Sequence, residues 1–137
     1  MKYMILIYGS QQDYDALGGA PGDGPAWSPD EVAAMGAFMQ AFNEDLEKSG
    51  ELVDTRGLTA PAHARRIGAL KEGVPVVTDG PYPETQEVLA GYWIVECASF
   101  DRATEIAAGL TKCPGPDGVS SVIDVRPVAG SQAELDL

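Results

Sequence analysis

The chain is short of the residues that usually announce a catalytic or metal site. It has one histidine, His63, and two cysteines, Cys97 and Cys113. With one imidazole to serve everything, neither a Ser-His-Asp nor a Cys-His set can be assembled. The cysteines lack metal-ligand spacing and any surrounding framework, so no bound metal is expected and both are read as reduced thiols. Cations are scarce: 9 Lys and Arg stand against 21 acids, a net charge of −12. That field repels phosphate backbones and anionic head groups, which argues against nucleic acid and membrane surfaces as partners. Long hydrophobic runs are missing too. Met4 to Tyr8 is shorter than the apolar region of a signal peptide, and nothing reaches the length of a membrane span. A cytoplasmic protein is expected.

What is present reads as one globular domain over residues 1–128, with a frayed acidic tail at 129–137. Residues 2–8 predict a strand that is apolar on both faces, Tyr3, Ile5 and Ile7 against Met4, Leu6 and Tyr8. From 9 to 27 five glycines and two prolines predict a long surface loop. Ser28-Pro29-Asp30-Glu31 is a capping box with proline at the first helical position. Val32, Met35, Met39, Phe42 and Leu46 follow at helical spacing, and Ser49-Gly50 stops a helix predicted over 29–49. Strands are predicted at 52–58, 65–70, 74–78 and 92–95, the middle two forming a hairpin about Lys71-Glu72-Gly73. Ser99 caps a second helix over 100–112, and a last strand spans about 120–128.

Strand, helix, strands, helix, strand is the order of an α+β ferredoxin-like sandwich, with two helices on one face of a mostly antiparallel sheet. Two helices cover one face only, whereas strands 2–8 and 92–95 are apolar on both. A second sheet must cover the other face, and a second copy of the chain supplies it most simply. A homodimer is expected.

The densest chemistry lies in Thr78-Asp79-Gly80-Pro81-Tyr82-Pro83-Glu84-Thr85-Gln86-Glu87, running into Leu89-Ala90-Gly91-Tyr92-Trp93. An apolar strand ends in an acid and a Gly-Pro turn, two more carboxylates follow, and a glycine opens an aromatic strand. This segment resembles the signature of the YCII-related domain family in its DGPF branch. Met1 to Tyr8, Gly57-Leu58 with Pro61, Ser99-Phe100-Asp101 and Val125-Arg126-Pro127-Val128 are similar to the family as well. The resemblance implies a ferredoxin-like domain pairing into an α+β dimeric barrel, with a pocket near the dimer-facing sheet. Some relatives in the wider superfamily resemble small lyases that use a His-Asp pair, and some occur with sigma factors. Here Tyr82 stands in place of the Phe, and Ala90 in place of the first of two glycines. The early helix carries no histidine, so the His-Asp pair does not transfer to His63.

Asp79 is the first candidate residue. Its carboxylate either bonds the amides of its own turn or serves a pocket as general acid or base. Glu84 and Glu87 share an edge, as a solvated surface pair or as part of a ligand pocket. Tyr8, Tyr92 and Arg126 are placed at the wall of that pocket, where a phenol and a guanidinium could orient a small ligand. Asp13 to Gly24 begins like a calcium loop, but Leu17 and Gly24 spoil its ligand set. No cofactor is implied. Two functions stand at this point: a dimeric module binding a small molecule or a regulatory protein without catalysis, and a cofactor-free lyase or isomerase with Asp79 as acid or base.

Overall fold

The computed structural model describes residues 1–19, 26–80, 86–116 and 122–135. Its main sheet is built from β1 (Lys2–Gly9), β2 (Leu52–Gly57), β5 (Val88–Glu96) and β6 (Ile123–Pro127), in the order β2-β5-β1-β6. All three pairings are antiparallel. Helix α2 (Pro29–Ser49) crosses from β1 to β2, and α3 (Phe100–Gly109) crosses from β5 to β6. Order and crossovers together make the ferredoxin-like plan. Between β2 and β5 the chain inserts a separate two-stranded hairpin, β3 (Arg65–Lys71) and β4 (Val74–Asp79).

Pairing fixes which side chains share a face. Across the helix side run Thr55, Trp93, Ile5 and Val125 in one row, and Gly57, Gly91, Ile7 and Ile123 in another. Tyr3, Ile5, Trp93 and Val95 are buried there against Leu46 of α2 and Ala103, Ile106 and Ala107 of α3. Burying each such aliphatic side chain contributes roughly 1.5–3 kcal/mol. The Trp93 indole donates to Asn43 Oδ1 at 2.7 Å, so its polar atom is satisfied inside the core.

The helix ends follow their sequence signals. Ser28 and Glu31 close the capping box in both directions, and Gly50 takes the left-handed conformation, φ +78°, that ends α2. Glu72 and Gly73 both have positive φ between the paired Lys71 and Val74, which makes the hairpin turn a two-residue type I′.

Three expectations are corrected. Residues 9–27 are not loop throughout, because α1 occupies Gln11–Leu17. Ser10 accepts from the Asp13 amide, and Asp13 accepts from the Ser10 amide at 2.8 Å, so a second capping box outweighs the flanking glycines. The last strand starts at Ile123, where pairing with Ile7 begins, and excludes Val122, while residues 120 and 121 lie outside the described residues. The tail is not wholly frayed: Gln132–Leu135 form a helical turn, α4.

Candidate functional site

The sheet face away from the helices carries two similar polar groups. Register places Arg56, Tyr92, Leu6 and Asp124 in one row across this face, and Asp54, Ile94, Met4 and Arg126 in the next. On the β2 edge the Tyr92 hydroxyl donates to Asp54 at 3.1 Å, and Asp54 pairs with Arg56 at 2.9 Å. On the β6 edge the Tyr8 hydroxyl donates to Asp124 at 2.6 Å, with the Arg126 charge acting on it. Between the edges lie Met4, Leu6 and Ile94, half-buried and apolar.

Tyr8 follows Met4 and Leu6 onto this face by alternation, opposite a bulge in β5: Ile7 pairs with Gly91 and Tyr8 with Leu89, leaving Ala90 as the extra residue of β5. In both groups the accepting carboxylate holds the phenol protonated. Asp124 pushes Tyr8 up by its hydrogen bond, then burial and its charge add to the shift while Arg126 opposes it. Asp54 does the same for Tyr92, followed by burial, with Arg56 opposing. These phenols are donors at neutral pH and poor bases.

A cavity of about 280 Å³ lies on the opposite side of the sheet. Leu46 is the buried residue of α2, while Phe38, Met39 and Phe42 pack against the core only half-buried, so the helix sits less deeply toward its N-terminus. Met35 and Met39 of that helix, Ile7 and Ile123 of the sheet, and Trp27 and Leu110 line the space, which is partly open to solvent. Its two hydroxyls are engaged: the Thr111 hydroxyl donates to Ala108 O at 2.6 Å, and Tyr8 to Asp124. Burial pushes the Cys113 thiol up, so it is not a ready nucleophile.

Of the residues the sequence singled out, Tyr8, Tyr92 and Arg126 do share the outer sheet face. Tyr8 also borders the cavity. Asp79 sits elsewhere, at the foot of the hairpin, where its carboxylate pairs with Arg65 at 3.0 Å and the side chain is 77% exposed. Glu87 is exposed, and Glu84 lies outside the described residues. His63 is exposed at the end of a 3₁₀ turn, Pro61–His63, whose first residue is buried. Sequence reading missed Asp54, Arg56 and Asp124, whose signal was the Asp-x-Arg spacing common to Asp54-Thr55-Arg56 and Asp124-Val125-Arg126. It also missed the cavity, which arises from how α2 leans and has no local motif. Among the described residues no cluster of three or more metal-ligating side chains forms, and no helix is long and apolar enough to cross a membrane.

Comparison with known proteins adds two findings. The family model described as the YCII-related domain matches residues 1–129. A protein of Rhizobium meliloti (strain 1021), named Uncharacterized protein R00369, is 31% identical over 129 residues, covering 94% of this chain and 93% of its own length.

Proposed function

Because the chain belongs to the YCII-related domain family, we propose that it acts as a homodimeric binding module that takes a small, uncharged, mainly apolar molecule. The cavity under α2 carries this reading. Its walls offer thioether, indole and branched aliphatic surface, while the nearby hydroxyls are already committed to protein acceptors. Among the described residues no charged side chain lines it, so a charged ligand would give up hydration without gaining an ion pair. An engineered apolar cavity of about 150 Å³ holds a benzene ring, so this one suits a ligand of one or two fused rings.

Dimerisation is supported by the outer sheet face. Its two rows read Arg, Tyr, Leu, Asp and Asp, Ile, Met, Arg from the β2 edge to the β6 edge. If a second copy is stacked by a two-fold axis along the strands, each Arg lies over an Asp of the partner, and the apolar centres meet. An axis across the strands gives the same complementarity. Such a face matches itself.

The lyase or isomerase reading would need Asp79 covered, and its exposed ion pair with Arg65 gives that reading no support of its own. Calorimetric titration with indole tests the binding reading. We expect one saturable site per chain, lost in Met35→Glu and unchanged in Asp79→Asn. Heats of dilution alone from the folded wild type would refute the cavity as a ligand site. If Asp79→Asn abolished binding, that residue would return to the site. For the dimer, light scattering at micromolar concentration should give twice the chain mass.

A further inference from the structure

We infer that the β3–β4 hairpin is an arm that packs against the second copy of this chain. The inference rests on the dimer reading above and extends it. A two-stranded hairpin in water is marginal at best and needs a third strand or a packed surface for stability. Here every residue of both strands is exposed. Ile67 is 71% exposed, Leu70 69% and Val77 53%, and pairing puts these three on one face with Pro75. Among the described residues no other element makes an extended contact with the hairpin. Its foot is tied down: the Gly80 amide donates to Ala64 O at 2.8 Å, next to the buried Pro61. Among the described residues the hairpin therefore presents an exposed apolar face with no packed element beneath it.

Two observations point to a second copy as the occupant. The first is area. The outer face of a four-stranded sheet with strands about 4.8 Å apart and roughly 20 Å long offers a footprint near 400 Å². A standard stable interface buries roughly 800 Å² of accessible surface per partner, a measure that exceeds the flat footprint of the same contact. The two arms of a symmetric dimer would widen the contact beyond the sheet.

The second is charge. The segment 65–79 carries Arg65, Arg66 and Lys71 against Glu72 and Asp79, a net +1, so the rest of the −12 chain carries −13. A basic arm on an acidic body is attracted to another acidic body, and the two-fold axis makes that attraction mutual. The hairpin leaves the sheet beyond Gly57 and returns before Val88, the end at which Tyr8 lies. An arm laid on the partner would thus bring Arg65 and Asp79 of one copy into the dimer interface.

Hydrogen exchange and light scattering on the full chain, at high and low concentration, test the arm. In the wild-type dimer, amides 66–78 should be protected and should lose at least tenfold of that protection on dilution to monomer. Ile67→Asp with Leu70→Asp should raise the dimer dissociation constant at least tenfold while leaving the melting of the diluted monomer unchanged, since both side chains are exposed there. Suppose the wild type is dimeric, yet the hairpin exchanges equally fast in both states and the double variant dimerises normally. The arm is then overturned while the dimer stands. A wild type that stays monomeric at high concentration overturns both.

Discussion

Gly80 shows why the most conspicuous turn in the sequence has its composition. A β-carbon at this position would run into the carbonyl oxygen of Pro61, and that atom is backbone and cannot swing away. The foot of the hairpin thus requires a residue without a side chain, and Gly80→Ala must push two segments apart. We expect a loss of about 1–3 kcal/mol, as for other overpacked sites, seen as a lower melting temperature with indole affinity retained. The same position explains how Asp79 drew notice in the sequence. Its neighbour is under tight steric demand, while its own carboxylate forms a surface pair with Arg65 of the kind that contributes about 0–1 kcal/mol.

Among the elements, α2 was the most legible. Its capping box, apolar stripe and terminal glycine gave 29–49, and it spans Pro29–Ser49. Removing the cap by Ser28→Ala should cost about 1 kcal/mol, measurable as a shift in denaturant midpoint at unchanged slope. Helix α1 was hidden because glycines and prolines dominate its surroundings, although Ser10 and Asp13 carried the same kind of signal on a shorter element. The core strands were legible as short runs apolar on both faces. Where each strand lies in the sheet came from the order of elements and the family resemblance, since register has no local marker. The outer-face groups were half legible. Tyr8, Tyr92 and Arg126 were noticed as types, but their partners Asp124 and Asp54 come from other strands, and pairing of distant strands cannot be read locally.

For the molecule as a whole, Glu51 and Arg102 form a two-pronged bond, at 2.8 and 2.9 Å, that ties the start of α3 to the segment between α2 and β2. The hydrogen bond from Arg102 holds the Glu51 carboxyl below its ordinary value of 4.5, with burial opposing and Ser49 assisting. The folded chain thus binds this proton less readily than the unfolded chain. The stabilisation is complete above about pH 4.5 and is lost as pH falls through the lower folded value. Thermal melts should show Glu51→Gln less stable by about 1 kcal/mol near neutrality, a modest figure because Arg102 is 41% exposed. The gap from wild type should narrow as pH falls through that lowered folded value, where Glu51 takes up its proton and is as uncharged as the glutamine of the variant.

The place of β1 in the sheet also has a consequence in time. It is the first strand in the chain, yet both of its neighbours, β5 and β6, come after residue 87. At about 5–20 residues per second of synthesis, its apolar edges wait on the order of 5–15 s before a partner strand exists. Through that interval the segment Tyr3 to Tyr8 is a short, uncharged, β-prone stretch with both edges open, the kind that pairs with other chains. The delay between making β1 and closing it, more than the stability of the finished sheet, sets how readily the nascent chain aggregates.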